Sequence, residues 1–266
     1  MKNMGSTYGY NFLPLSSSFF THLMFFMYFV CGTGVYAQLS GDDIVEKAIQ
    51  TAGGDLLENA TVQFEFRGNQ YQSTRSNGMF QLERTMIKPQ GLLIDIVTNH
   101  GLTRYVDHCR HSVADSLVTR ISDGVNSVHY FALLPYGLNA PAAQKRFIEE
   151  TTIHNQPYYK VEVSFSKEGG GTDFEDVFMY WIHKKNFTVD YLAYQYAVNG
   201  GGIRFRAAFN PRIIKGIRFV DYKNYKTDNL QTPLNRLDQL FEAGKLKLLS
   251  EIKTEKIKVF LNPTCC

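Results

Sequence analysis

The sequence lacks most of the motifs that announce a reaction. It contains no serine-centred elbow, zinc-binding helix, dinucleotide fingerprint or paired-cysteine motif, so catalysis has no support at this level. Charge of one sign is also scarce. The formal net charge is +3 over 266 residues, too balanced to suggest a nucleic-acid partner. The basic end, with Lys245, Lys247, Lys253, Lys256 and Lys258, reads as a solvated strand edge. No period of solenoid length repeats. No helix-period segment interrupts the strands of the second half, which argues against the βαβ units of nucleotide enzymes.

Long apolar runs are missing as well. Phe19–Val30 is broken by Thr21 and His22 and is short for a membrane span. Lys2 is the only charged residue among the first 37. Val35-Tyr36-Ala37 then offers acceptable residues at the positions a signal peptidase reads, with cleavage before Gln38. Residues 1–37 are therefore expected to be a signal peptide, and 38–266 a single domain exported to the periplasm. A lipoprotein alternative would lipidate Cys31, but Val30 before it is larger than the residues such sites prefer. Of the four cysteines, Cys109, Cys265 and Cys266 would remain after cleavage. An odd count leaves at least one thiol unpaired.

What the chain does carry is a run of strands from Phe174 to Tyr225. FEDVFMYWIH, FTVDYLAYQYA, IRFRAAF and IIKGIRFVDYKNY are rich in aromatic and β-branched residues. HKKN, VNGGG and NPR separate them, the pattern of an antiparallel meander. If HKKN closes the first hairpin, Tyr180 faces Val189 and Phe178 faces Tyr191. If VNGGG closes the second, Gln195 faces Phe205 and Tyr191 faces Phe209. One side then collects Phe178, Tyr180, Ile182, Phe187, Val189, Tyr191, Ile203, Phe205 and Phe209. The other collects Thr188, Asp190, Tyr194, Tyr196, Arg204 and Arg206, together with Met179 and Trp181. A one-residue slip would exchange the sets for one strand.

Elsewhere, Ser40 and Asp43 form a capping-box pattern before the apolar stripe Ile44, Val45, Ala48 and Ile49, ended by Gly53-Gly54. Strands are predicted around Val62–Phe66, Phe80–Arg84, Leu92–Ile96, Leu102–Asp107, Leu117–Ser122, Ser127–Ala132, Phe147–Ile153 and Tyr158–Phe165. LLPYGLNAPAAQKR, from Leu133 to Arg146, breaks the pattern as a lid or as a loop packed on the core. Pro233 precedes a second helix bearing Leu234, Leu237, Leu240 and Phe241, with Gly244 as its stop. One last strand runs from Leu246 towards Phe260. The fold class is mainly β: a curved antiparallel half-barrel of about ten or eleven strands, with two short helices covering its concave face.

Candidates for chemistry are few. His108 and His111, three apart in an extended strand, point to opposite faces, so with Cys109 they do not make a metal site. The runs Gly169–Gly171 and Gly200–Gly202 lead into strands and not helices, so they are turns and not phosphate loops. Arg204 and Arg206 lie near Tyr196 and Tyr194 respectively. That ladder would suit an anionic head group, or equally a solvated face of stacked guanidinium groups.

GGGTDFEDVFMYWIHKKNFTVDYLAYQYAVNGGGIRFRAAFNPRIIKGIRFVDYKNY, with LLPYGLNAPA and PYYKVEVSFS, resembles an uncharacterised family of exported Bacteroidetes proteins. The match runs over most of the mature chain. The order of leading helix, strands and late helix resembles the half-barrel of lipoprotein carriers of the LolA and LppX type, which hold acyl chains between a curved sheet and a helical lid. Some members of the exported family carry the label deoxyribose-phosphate aldolase. That enzyme class is a (β/α)8 barrel with a Schiff-base lysine, which Ile214-Lys215-Gly216 matches poorly.

The resemblance and the oily face together predict an exported carrier for a lipid or other apolar small molecule, without cofactor, metal or catalytic residues. Phe178, Tyr180, Tyr191, Phe205 and Phe209 would line the pocket, with Leu134 and Tyr136 from the Leu133–Leu138 loop controlling access. An envelope protein is a further candidate partner. The alternatives are an exported enzyme and a purely structural envelope protein.

Overall fold

Ser40 opens the first helix as its sequence predicts. Its Oγ accepts from the Asp43 amide at 3.1 Å while the Asp43 carboxylate accepts from the Ser40 amide at 3.0 Å, closing the capping box. The computed structural model describes residues 39–262 apart from 90, 170–173 and 197–199, together with Gly5 and Gly9. The expected leader with Cys31, and the terminal Cys265 and Cys266, lie outside the described residues.

Helix α1 (Gly41–Thr51) buries Ile44, Val45, Ala48 and Ile49, and α2 (Gly54–Leu57) follows. A meander then runs through β1 (Ala60–Phe66), β2 (Asn69–Ser76), β3 (Met79–Lys88), β4 (Gly91–Thr98), β5 (Gly101–Val106) and β6 (Cys109–His111). After α3 (Asp115–Ala132) come β7 (Ala143–Ile153), β8 (Gln156–Phe165), β9 (Val177–His183), β10 (Val189–Tyr196), β11 (Gly202–Ile214) and β12 (Ile217–Lys226). A 3-10 turn, Leu234–Arg236, leads into α4 (Leu237–Glu242), and β13 (Lys247–Ile252) and β14 (Glu255–Leu261) end the chain.

The strands form two seven-stranded antiparallel sheets, ordered β14-β1-β2-β3-β4-β5-β6 and β13-β12-β11-β10-β9-β8-β7. Neither closes on itself, and the fold is the mainly β, open half-barrel that the sequence implies. No helix among the described residues is long and apolar enough to cross a membrane.

Two local expectations are corrected, and one open alternative is decided. Leu117–Ser122 and Ser127–Ala132 are not strands but the two ends of one helix, α3. Their β-branched residues favour a strand locally, yet Ile121, Val125 and His129 recur at four-residue spacing and are buried. The final strand is two strands, because Lys253 and Thr254 carry the chain from the second sheet to the first. The Leu133–Leu138 loop packs on the core, with Leu133, Leu134 and Leu138 all buried.

The third correction concerns the faces of the second sheet. Between β10 and β11 the register differs by two residues from the prediction, pairing Gln195 with Ile203 and Tyr191 with Ala207. An even slip preserves which residues share a face. Between β9 and β10, however, a bulge at Asp190 changes the count. Val189 pairs with Ile182, but Tyr191 pairs with Trp181 and Leu192 with Tyr180. Phe178 and Tyr180 therefore join Tyr194, while Met179 and Trp181 join Tyr191, Ala193 and Phe205. Both faces are apolar. One packs Phe178, Tyr180, Val189 and Leu192 against α1 and against Tyr130 and Phe131 of α3. The other packs Met179, Trp181, Ile203 and Phe205 under Leu237 and Phe241, so the late helix covers the opposite face from α1.

Candidate functional site

The residues nominated from sequence separate accordingly. Phe178, Tyr180 and Leu134 belong to the core beneath α1, and Tyr191 and Phe205 to the core beneath α4. Tyr180 and Phe205 are almost wholly enclosed by neighbouring side chains. Phe209 is half-buried beside the Lys223 ammonium, at 6.0 Å from its ring centroid. Tyr136 donates to Glu58 at 3.1 Å and lies under the Arg75 guanidinium, 4.8 Å from its ring, where it lines a cavity of about 490 Å³ with His129.

A different space has the build of a site. On the α1 side of the second sheet, beyond the region α1 covers, a pocket of about 380 Å³ lies against α3. Val128, Phe131 and Ala132 of α3 form one wall, and Val220, Tyr222 and Ile252 form the apolar part of the other. Phe178 backs it through ring contacts with Phe131 at 6.5 Å and Tyr194 at 5.6 Å. A volume of ~300–1,000 Å³ is usual for small-molecule sites, so this pocket is at the small end.

Its polar members are the tyrosine–arginine ladder. Tyr194 is the direct partner of Arg204 in the register, but the long side chains reach diagonally. Arg206 donates to the Tyr194 hydroxyl at 2.7 Å, and Arg204 donates to the Tyr196 hydroxyl, the same pairs that the sequence predicted. The ladder requires Gly202 opposite Tyr196, since a Cβ there would lie 2.6 Å from the tyrosine hydroxyl.

Arg206 is only 8% exposed. Its guanidinium lies over the Phe131 ring at 3.9 Å and near Tyr194 at 5.1 Å. Among the described residues it has no ion-pair partner, and its buried Nε has no acceptor. Asn224 Oδ1, on another lining residue, is likewise buried without a donor. Nearby tyrosines do not supply the missing anion. Burial pushes Tyr222 up to about 12, and raises Tyr130 and Tyr180, whose hydroxyls share a hydrogen bond of 2.8 Å. All three stay neutral at ordinary pH. No Asp or Glu is among the described residues lining the pocket, whereas Arg67, Arg204 and Arg206 all are.

The remaining candidates are peripheral. Cys109 and His111 lie exposed on β6, and no group of three or more metal-ligating side chains converges among the described residues. Lys215 is exposed, in the turn with Gly216 that joins β11 to β12. The sequence drew attention to the arginine ladder but placed it on the side away from the greasy aromatics. The Asp190 bulge that reunites them leaves no mark in the residue pattern.

Residues 20–254 match the model of a family described as a family of unknown function, DUF6503. No curated protein matches the chain. Among solved structures, a LolA superfamily protein from Nitrosomonas europaea is similar at 11% identity and a TM-score of 0.46, covering 86% of this chain and 96% of that one. A putative outer membrane lipoprotein-sorting protein domain from Vibrio parahaemolyticus shares 8% identity at a TM-score of 0.39, with 74% and 97% covered. The lipoprotein LppX of Mycobacterium tuberculosis shares 9% identity at a TM-score of 0.27, with 59% and 89% covered. These similarities are distant.

Proposed function

We propose that this chain, which belongs to the DUF6503 family of unknown function, is an exported binding protein of carrier type that holds an apolar or lipid-like ligand in the pocket between α3 and the second sheet. The observation that carries this is the pocket's lining. Aromatic and aliphatic side chains make up most of it, and no carboxylate, histidine or cysteine stands among its described residues. Each methylene buried there is worth ~0.8 kcal/mol, so a modest chain length yields useful affinity. Phe131, Tyr194 and Ile252 are assigned to ligand contact, with Phe178 supporting them from behind.

Export rests on the leader pattern in residues 1–37, with cleavage before Gln38 and periplasmic release. An envelope protein that receives or delivers the ligand is the natural partner for such a carrier. The alternative of a purely structural envelope protein draws on the complete burial of Tyr180 and Phe205 by their own neighbours. The pocket against α3 favours binding.

Uptake of the uncharged fluorophore N-phenyl-1-naphthylamine by the mature chain tests the proposal. Saturable uptake is expected, and Val128→Trp, which fills the pocket from α3, should abolish it. A wild-type protein that takes up no dye, or a variant that takes up as much, overturns it.

A further inference from the structure

We infer that Arg204 and Arg206 form an oxyanion-recognition site at the polar end of this pocket, selecting a single-chain amphiphile with a carboxylate or phosphate head. This rests on the pocket being a ligand site, and it specifies the class of ligand.

The first ground is the state of Arg206. A guanidinium that is 8% exposed ordinarily has a carboxylate partner, because an isolated buried charge is costly. Arg206 instead has one tyrosine hydroxyl, two aromatic faces and an Nε with no acceptor. The Phe131 and Tyr194 rings, with centroids 3.9 Å and 5.1 Å from its Cζ, restrain the guanidinium. A planar fork held in this way suits two-point recognition of a carboxylate or phosphate.

The second ground is the charge around it. Arg204 is the next residue on the same face of β11, and among the described residues its side chain bonds to the Tyr196 hydroxyl and the Ile203 carbonyl. Arg67 adds a third cation at the exposed rim, and no carboxylate lines the pocket among the described residues. The third ground is size. About 380 Å³ with an apolar wall suits one chain and not a bundle of several. The head would sit at Arg206 with the chain running along Phe131, Val220 and Ile252.

Isothermal titration with matched dodecyl compounds, below their micellar concentrations, tests this. Dodecanoate and dodecyl phosphate should bind the mature chain about tenfold or more tightly than dodecanol, as expected for one or two charge-assisted hydrogen bonds. Acetate and inorganic phosphate alone should bind far more weakly. Arg206→Gln should remove most of the advantage of dodecanoate over dodecanol. Should Arg206→Gln fail to fold, Arg204→Gln, at a half-buried position, should still narrow the preference by about threefold or more.

Equal binding of dodecanoate and dodecanol overturns the assignment while leaving the pocket proposal standing. So does an acid preference that survives in every folded variant. Tight binding of acetate or phosphate without any gain from the chain overturns the amphiphile. Binding of none of these compounds, together with exclusion of the neutral dye, would instead bring down the pocket proposal itself.

Discussion

Two pairs of arginines face α3, one from each sheet, and they are treated in opposite ways. On the first sheet, Arg84 and Arg104 converge on Asp95, at 2.8 Å and 2.6 Å, and the carboxylate is wholly buried between them. Gly124 of α3 sits close above, where an added Cβ would be 3.3 Å from Arg84. On the second sheet, Arg204 and Arg206 meet hydroxyls and aromatic rings and no carboxylate. The first arrangement gives both cations one shared, buried carboxylate, although the buried Nε of Arg84 has no acceptor among the described residues. The second leaves positive charge facing an open space. A buried arginine is thus structural or functional according to whether the fold provides its anion.

The contrast can be broken at the first pair. Asp95→Ala would strand two partly buried guanidinium groups against each other under α3. It should lower the urea-unfolding free energy by about 3–5 kcal/mol, the usual cost of removing one member of a buried ion pair. A loss below about 1 kcal/mol would show that water, and not Asp95, satisfies these arginines.

The same side also carries a buried histidine, and pH probes it. Burial between α3 and the first sheet lowers the His129 pKa to about 4, the hydrogen bond between its Nε2 and the Glu83 carbonyl opposing this and Arg75 adding to it. The folded state therefore binds the proton less well than the unfolded chain, whose histidine titrates near ~6.5. Stability should be constant above ~6.5 and decline as pH falls towards about 4, by on the order of 3 kcal/mol. His129→Gln should flatten this slope when unfolding is followed by circular dichroism. An unchanged slope would assign it to carboxylates instead.

The smallest expected effect sharpens the contrast most. Arg206→Met keeps an unbranched, flexible side chain and removes an unpaired charge. Its unfolding free energy should stay within about 1 kcal/mol of wild type, because the lost cation–π contact and the relieved desolvation offset one another. A loss as large as that of Asp95→Ala would mean that Arg206 is a structural residue after all.

Much of this was legible in the sequence. The capping box at Ser40, the apolar stripe of α1, the meander and the two tyrosine–arginine pairs all follow from local pattern. Helix α3 did not, because Val118, Thr119, Ile121, Val125 and Val128 are good strand residues. Their four-residue spacing becomes decisive only when a concave surface is present to receive them. The bulge at Asp190 was equally hidden. An extra residue in one strand alters every face assignment beyond it, yet it costs the sequence nothing visible. Since the site depends on bringing Phe178 across to Tyr194, sequence alone could identify its parts but not assemble them.

The short step at Lys253 and Thr254 has a consequence for the whole molecule. Thr254 is tied down where the chain changes sheets: its amide bonds to Asp221 at 3.1 Å and its hydroxyl accepts from Arg212 at 3.1 Å. Ile252 and Thr254 both border the pocket, and the strand beyond them pairs with β1. The C-terminal segment thus acts as a buckle, fastening one half of the shell to the other along the margin of the cavity. Loosening it would bare the edge of β1 to foreign strands and spoil the wall on which a bound chain would lie.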